Sequence, residues 1–370
     1  MHHFHVDSNI LLTGVTGLLG GEIFRRLVAS GHRGKIWMLI REKNGETARD
    51  RLEHRLRRCN ESLSDQTNLR PCGGDVTSPG WALDPHLHEE ITSEVDFVIH
   101  NAADTSFVAH RETSRTNVDS VETLIELARR CRKNPLIAYM STASNVGQAS
   151  NCCLREDEGC RAENHHFNEY THSKAVGEDL LQASGLPVLT LRPSIVLSAG
   201  LSDPGFARQI LWCVPLMRAF EALPLNPTSR LDIVDAEFVA RTTLQLLAKS
   251  DRKWNTYHLS AGESGSWNLR ELGELVDQIY DRKTPFRLIP PSEWRLTHQR
   301  EFIRTPMRKK IFRSLKFYLP FLNMDVVFSD ERLRTELGNR LPALRPIAGY
   351  FSTLLRLIRT KTALAEAAMP

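Results

Sequence analysis

The chain has 370 residues with a formal net charge of +4, and 41% of the residues are hydrophobic and 25% charged. These fractions are typical of a soluble globular protein, and the length allows one large α/β domain or two domains. No apolar run approaches about eighteen residues, which excludes an evident membrane-spanning helix. The N-terminus lacks a signal-peptide pattern and the seven cysteines have no regular spacing. We therefore expect a cytoplasmic protein with reduced thiols.

Strands and helices alternate through the first two hundred residues. Residues 8–31 predict a short apolar strand, a glycine-rich turn and an amphipathic helix that ends at Gly31. Further strands are predicted within 35–41, 69–80, 94–103, 136–147 and 187–198, with helices at 47–59, 116–131 and 168–181. This alternation predicts a Rossmann-type α/β fold with a doubly wound parallel sheet.

Beyond Gly200 the pattern loosens, and prolines punctuate short helical segments. A strand that feeds a helix is predicted at 230–248, and another strand at 255–262. We expect residues 1–200 to form the Rossmann domain, with the strand and helix around 228–260 returning to it. Residues 201–370 would form a smaller, mostly helical substrate-binding lobe with basic C-terminal helices.

The glycine-rich turn follows a predicted strand and opens a helix, and its sequence is TGVTGLLG. Glycines there let backbone N–H groups approach a pyrophosphate and let the helix pack closely on the sheet. In this context the turn predicts dinucleotide binding. Its candidate cofactor-binding residues are Thr13, Gly14, Thr16, Gly17, Leu18, Leu19 and Gly20.

The end of the second strand distinguishes the two nicotinamide dinucleotides. An acid there bonds the ribose 2′-OH of NAD, whereas a cation accommodates the 2′-phosphate of NADP. The chain places Arg41 at this point, and Arg51 in the following helix can make a second charge-assisted contact. We therefore expect residues 1–200 to bind NADPH.

Two later strand ends carry residues that fit beneath such a cofactor. Asp75, with Val76 beside it, can accept a hydrogen bond from the adenine amino group. A second strand is followed by small residues that let the backbone pass close to the cofactor. These candidates are Asn101, Ala102 and Ala103.

Tyr170 precedes Lys174 by four residues, so both side chains share one helix face. This pair closes an ordered series of motifs that runs from about residue 8 to residue 200. The motifs are TGVTGLLG, GDV, HNAA, TNV, STAS, YTHSK and LRPS. In this order they resemble the extended short-chain dehydrogenase/reductase superfamily.

The resemblance implies catalytic roles for four residues. Tyr170 resembles the general acid/base, and Lys174 resembles the residue that binds the nicotinamide ribose and lowers the tyrosine pKa. Thr142 corresponds to the catalytic Ser or Thr, and Asn117 to the asparagine that supports the proton relay. The residues that would flank the nicotinamide are Pro193, Ser194 and Ile195.

A narrower resemblance concerns thioester reductases, which include fatty acyl-CoA reductases and the reductase domains of carboxylic acid reductases and peptide synthetases. It rests on the segments LLTGVTGLLGGEIFRRL, LIREK, ARDRL, HNAADTSF, MSTASNVG and LDIVDAEFVA. It implies NADPH-dependent reduction of an acyl thioester, carried by CoA or an acyl carrier protein, to an aldehyde or alcohol.

Other functions are compatible with the same residues. One is a dehydrogenase or ketoreductase that acts on a sterol-like or polyketide-like substrate. Another is a non-catalytic NADP-binding regulator, although such proteins typically lose the tyrosine or the lysine. A nucleotide-sugar epimerase is less favoured, because those enzymes prefer an acid where Arg41 stands.

Two basic segments, 300–316 and 340–361, lie in the C-terminal third. They predict a solvated face, a site for an acidic partner or a phosphate, or a peripheral membrane contact through amphipathic helices. Neither has a groove-reading motif, so we expect no nucleic-acid partner. The cysteines and histidines within 152–166 match no zinc module, so we expect no metal site. A homodimer through the Tyr170 helix is a further option.

Overall fold

The computed structural model describes residues 3–57, 67–107, 110–158, 162–198, 222–281 and 287–355. The strands in these ranges are β1 (Ile10–Thr13), β2 (Ile36–Ile40), β3 (Leu69–Gly73), β4 (Phe97–His100), β5 (Leu136–Met140), β6 (Cys152–Leu154), β7 (Val188–Pro193), β8 (Ile195–Leu197), β9 (Ala222–Leu223), β10 (Arg230–Leu231), β11 (Ile233–Asp235), β12 (Thr256–Leu259), β13 (Trp267–Asn268), β14 (Arg287–Leu288) and β15 (Val326–Phe328).

The helices in the same ranges are α1 (Leu18–Ala29), α2 (Ala48–Arg57), α3 (Pro85–Glu94), α4 (His110–Arg130), α5 (Glu169–Ala183), α6 (Ala236–Ala248), α7 (Gly262–Gly265), α8 (Leu269–Ile279), α9 (Leu296–Phe302), α10 (Pro306–Leu315), α11 (Leu319–Leu322) and α12 (Glu331–Leu337), and residues 347–355 are also helical. Short 3-10 turns cover Pro79–Ala82, Ala143–Val146, Pro291–Glu293 and Gly338–Arg340. None of the described helices has the length and apolar character needed to cross a membrane.

Seven parallel strands form the main sheet, in the order β12-β7-β5-β4-β1-β2-β3. The chain starts in the middle, at β1, builds outward to β3, and then returns to build the other half from β4. The four remaining two-stranded pairings are β10–β13, β11–β8, β14–β9 and β15–β6. The strands of these pairs are two or three residues long, so the pairs connect loops to one another and do not extend the main sheet.

Helices cover both faces of the main sheet, as its apolar strands require. Along β1, Ile10 and Leu12 pack in one buried cluster with α1, α2 and α6, whereas Leu11 packs in a second cluster with α3 and α4. This alternation follows the two-residue period of a strand. The fold class predicted from the sequence is therefore confirmed.

A third buried cluster holds the C-terminal part of the chain against the carboxyl ends of the strands. It combines Leu272 of α8, Phe302 of α9 and Leu315 of α10 with Ala143 and Leu197 from the sheet side. The most basic of the predicted C-terminal segments thus buries its apolar residues inside the protein. The boundary expected near residue 200 lies within 199–221, outside the described residues.

The pairing of β6 with β15 was not predicted. Cys152–Leu154, within a stretch expected to be a loop, pairs in parallel with Val326–Phe328. A contact across more than 170 residues leaves no trace in local periodicity, because each strand is only three residues long. The second helix spans Ala48–Arg57, and the rest of its predicted range up to residue 59 lies outside the described residues.

A buried ion pair joins α5 to the sheet. The guanidinium of Arg192 on β7 donates to both carboxylate oxygens of Glu178 on α5, with Nη2 to Oε2 at 2.5 Å and Nε to Oε1 at 3.0 Å. Asn145 Nδ2 donates to the same carboxylate at 2.7 Å, and Arg192 Nη1 donates to the Glu156 carbonyl at 2.9 Å. Both charged side chains are buried, so these hydrogen bonds offset the cost of removing the charges from water.

Replacing Glu178 by Gln should destabilise the protein by about 3–5 kcal/mol, because it leaves the Arg192 charge buried without a counter-charge. The matched control is Glu53→Gln, which breaks the exposed Arg49–Glu53 pair on α2 and should cost less than about 1 kcal/mol. Urea denaturation followed by circular dichroism measures both variants. Equal losses of stability would contradict the structural role of the buried pair.

Candidate active site

A cleft of about 660 Å³ runs along the carboxyl ends of the main-sheet strands. This edge is where ligands bind in open parallel α/β sheets. The cleft brings together most of the residues singled out from the sequence. They are Gly14, Thr16, Gly17, Leu18, Leu19, Arg41, Arg51, Asp75, Val76, Asn101, Ala102, Ala103, Thr142, Tyr170, Lys174, Pro193, Ser194 and Ile195.

The glycine-rich turn is held by close backbone contacts that exclude larger residues. Gly14 has a φ of +72°, and a Cβ there would lie 2.8 Å from the backbone N of Ala102. A Cβ on Gly20 would lie 2.2 Å from the carbonyl oxygen of Gly14. The first turn of α1 therefore packs directly on the β1 end, and its N-terminal amide groups face the cleft as an anion cradle.

Two candidates of this turn, Thr13 and Gly20, do not line the cleft. Thr13 is fully buried, and its hydroxyl oxygen accepts hydrogen bonds from the backbone N–H groups of Asn101 and Ala102 at 3.1 and 3.0 Å. It thereby joins the end of β1 to the end of β4. Both residues determine the shape of the cleft floor and do not border the space that a ligand would occupy.

Two arginines converge at the far end of the cleft. The Arg51 guanidinium donates to the carbonyl of Arg41, and Arg41 Nη1 lies 3.8 Å from Asp75 Oδ2. The other Asp75 oxygen, Oδ1, accepts from the backbone N–H of Thr77 at 2.9 Å and from its hydroxyl at 2.8 Å. Arg41 remains 64% exposed, so its charge is accessible to an anion.

The carboxylate of Glu42 does not oppose these cations. Its Oε1 atom accepts from the backbone N–H of Ala48, in the first turn of α2, at 3.3 Å. A negative charge is favourable at a helix N-terminus, which explains this position. The glycine cradle and the two arginines therefore give this part of the cleft backbone N–H donors and positive charge, which suit an anionic ligand.

Tyr170, Thr142 and Lys174 meet at the opposite end of the cleft. The Tyr170 and Thr142 hydroxyls form a hydrogen bond with one another. Lys174 Nζ donates to the Met140 carbonyl at 2.8 Å and lies 4.8 Å from the centre of the Tyr139 ring. The lysine is 2% exposed, so its amino group is largely removed from water and contacts the end of β5 and this ring.

Burial dominates the ionisation of this pair. It raises the pKa of Tyr170 to about 12, against an opposing effect of the hydrogen bond with Thr142. It lowers the pKa of Lys174 to about 7, against an opposing effect of the Glu178 carboxylate. The pKa of Tyr170 is thus raised by desolvation, whereas the lowered value expected from the sequence refers to the site with Lys174 charged and the nicotinamide bound.

Asn117 does not line the cleft, and within the described part of the chain its side chain forms hydrogen bonds with neither Tyr170 nor Lys174. Its Nδ2 donates to Ser173 Oγ at 2.9 Å and to the Asp104 carbonyl at 3.0 Å, and its Oδ1 accepts from Asp104 N at 2.8 Å. It joins α4 to α5 and fixes the turn after β4. The geometry makes it a positioning residue.

An aromatic wall next to Tyr170 was missed from the sequence. Phe107 stacks on Tyr170 with ring centres 6.0 Å apart and on Tyr318 at 4.9 Å, and its edge meets Phe321 at 5.7 Å. Phe107, Tyr318 and Phe321 all line the cleft. Tyr318 and Phe321 lie about 150 residues after Tyr170 and carry no motif, so no local signal could have assigned them.

The model of the NAD-binding domain of male sterility proteins matches residues 12–243 of the chain. Fatty acyl-CoA reductase 2 of Mus musculus is 25% identical over 334 residues, which cover 76% of this chain and 63% of that protein. The chain thus spans less than two thirds of this relative. A nicotinamide dinucleotide is the cofactor type of the matched domain.

Two solved structures have the same fold. The terminal R domain from the myxalamid PKS-NRPS pathway has a TM-score of 0.76 and 22% identity, and covers 96% of this chain and 91% of that one. A thiolation-reductase di-domain from an archaeal non-ribosomal peptide synthetase has a TM-score of 0.76 and 20% identity, over 96% of this chain and 76% of that one. With the match over residues 12–243, the chain belongs to the male sterility family of NAD-binding domains.

Proposed function

We propose that the protein is an NADPH-dependent reductase of acyl thioesters with Tyr170 as its proton donor. The observation that carries this proposal is one cleft with a glycine cradle and two arginines at one end and the hydroxyls of Tyr170 and Thr142 at the other. When bound, NADPH would supply the hydride. The protein's own contribution is to orient that cofactor, bind the carbonyl oxygen and deliver a proton.

Arg41 and Arg51 support the choice of NADPH over NADH. Both line the cleft at its β2 end, and Arg41 is well exposed. A 2′-phosphate would give each guanidinium a charge-assisted contact, whereas the 2′-OH of NADH would leave both without an anionic partner from the cofactor.

The raised pKa of Tyr170 suits a proton donor. With a pKa of about 12, the phenol stays protonated at neutral pH and can give its proton to an oxygen that gains negative charge. The Thr142 hydroxyl, already hydrogen-bonded to Tyr170, would donate to the same oxygen. The buried Lys174, when protonated, would stabilise the tyrosinate that remains.

A thioester carbonyl is a suitable substrate group for this arrangement, and the similarity to thioester reductases supports it. Addition of hydride and a proton gives a hemithioacetal, which releases a thiol and an aldehyde, and a second round would give an alcohol. The similarity to a fatty acyl-CoA reductase and to a thiolation-reductase di-domain supports CoA or a carrier protein as the thiol component.

Replacing Tyr170 by Phe should lower turnover of an acyl-CoA about 10²–10⁴-fold, because the proton donor is lost and the ring is kept. NADPH consumption followed by its absorbance, with product analysis by mass spectrometry, measures this. The matched control is Tyr318→Phe, which removes a hydroxyl from the same cleft and should retain turnover. Full activity of the Tyr170 variant, or turnover of a free ketone but of no thioester, would overturn the proposal.

Replacing Arg41 and Arg51 together by Ala should raise the KM for NADPH more than about tenfold and leave the KM for NADH unchanged. The control is Arg49→Ala on the same helix as Arg51, which points to the exposed Glu53 and should alter neither value. Steady-state kinetics with both cofactors measures the effect. A parallel loss with NADPH and NADH would show that the arginines do not read the 2′-phosphate.

Lys174 should lower the stability of the cofactor-free protein at neutral pH. Burial lowers its pKa from 10.5 to about 7, so the unfolded chain binds the proton more tightly between these two values. Lys174→Met should therefore stabilise the fold by about 1–3 kcal/mol at pH 7, and the gain should shrink as the pH approaches 10.5. Urea denaturation at pH 7 and pH 10 measures this; a gain that is constant with pH would contradict it.

A further inference from the structure

The segment from Phe302 to Met324 carries positive charge without any compensating carboxylate. Its 23 residues contain no Asp or Glu. Its cations are Arg304, Arg308, Lys309, Lys310, Arg313 and Lys316. Four of these cations lie within α10, and Lys316 follows this helix directly.

The charge on α10 is concentrated on one side. Ile311 and Leu315 are buried in the core of the lobe. Lys309, Arg313 and Lys316 are exposed, and their spacing of four and seven residues places them on the opposite side of the helix. Lys316 N donates to the Phe312 carbonyl at 3.0 Å, which continues the helical turn to this residue. We call these three residues the α10 cationic face.

The α10 cationic face has no acidic partner in the described part of the chain, where no ion pair within 4.0 Å involves Lys309, Arg313 or Lys316. Some exposed cations on other described helices are paired, as Arg49 with Glu53 on α2 and Arg334 with Asp330 at the start of α12. Three like charges on one side repel each other. A negatively charged surface that covers these residues would offset this repulsion and stabilise the arrangement.

The same segment leads directly to the cleft. Lys316 is two residues from Tyr318, so their Cα atoms are at most about 7 Å apart. Tyr318 and Phe321 form the aromatic wall beside Tyr170. A partner bound on the α10 cationic face would therefore lie near the residues that form one wall of the cleft.

We propose that the α10 cationic face docks an acidic acyl carrier protein, which presents its thioester to the cleft. This inference rests on the proposed function and names the partner that delivers the substrate. The negative surface of such a carrier complements three cations spread along a helix, whose Cα positions span about 10 Å from Lys309 to Lys316.

A membrane surface fits this face less well. A helix that lies in a membrane interface inserts its apolar side into the lipid. The apolar side of α10 is already used, because Ile311 and Leu315 pack in the core of the lobe. The exposed side offers charge alone, which favours an acidic protein as the partner.

The test compares two substrates that share one acyl group: octanoyl-CoA and octanoyl loaded on a bacterial fatty-acid acyl carrier protein. Lys309→Glu/Arg313→Glu should raise the KM for the carrier-bound substrate about tenfold or more and leave octanoyl-CoA kinetics unchanged. It should also weaken the salt dependence of the carrier KM. The matched control is Arg129→Glu/Arg130→Glu, which makes the same charge change at the exposed end of α4, at the amino edge of the sheet.

The outcomes separate this inference from the proposed function. Unchanged carrier kinetics in the α10 variant, or an equal loss in the control, would overturn docking at this face. An equal rise in KM for octanoyl-CoA would assign the face to the CoA phosphates. If the variant lost only its binding to anionic phosphatidylserine vesicles, the face would be assigned to a membrane. Either result overturns carrier docking. If the wild type reduces neither substrate, the proposed function fails. Docking can then still be tested by calorimetric titration of the carrier into the wild type and the variant. Equal binding to both proteins would overturn docking at this face.

Discussion

The buried carboxylate of Glu178 is the interaction on which the catalytic end of the cleft depends. It lies one helical turn after Lys174 on α5, and it accepts hydrogen bonds from Arg192 of β7 and from Asn145. Asn145 belongs to the turn that begins after Thr142. One charge therefore fixes the helix of Tyr170 and Lys174, the turn after Thr142 and the strand that leads to Pro193 with respect to each other. A neutral residue could not satisfy all these donors at once.

This arrangement holds two ionisable side chains in unfavourable, desolvated positions at the proposed catalytic end of the cleft. Lys174 is held among apolar groups and backbone, and burial lowers its pKa by several units. Tyr170 is held with its pKa raised by the same cause. Desolvated ionisable groups of this kind cluster at functional sites, and the rest of the fold compensates for them.

Sequence alone predicted those parts of the site that depend on neighbouring residues. The glycine turn, Arg41 after β2 and the Tyr170–Lys174 pair each combine a local pattern with a strand or helix of predictable period. All of these candidates except Thr13 and Gly20 of the turn line the cleft. The parts that it missed depend on distant contacts. Thr13 acts through the amides of Asn101 and Ala102, nearly ninety residues later, and nothing in the motif distinguishes this role from contact with a ligand.

The C-terminal lobe shows the same limit most clearly, and also what the fold adds. From the sequence, the basic and apolar residues of 300–316 were compatible with a membrane helix, a solvated face or a partner site. Burial resolves part of this ambiguity, since Ile311 and Leu315 pack in the lobe while Lys309 and Arg313 stay in solvent. The chain then continues into Tyr318 and Phe321, which contact Phe107 beside Tyr170. One continuous segment thus places its outer charge and its inner aromatic wall within a few residues of each other.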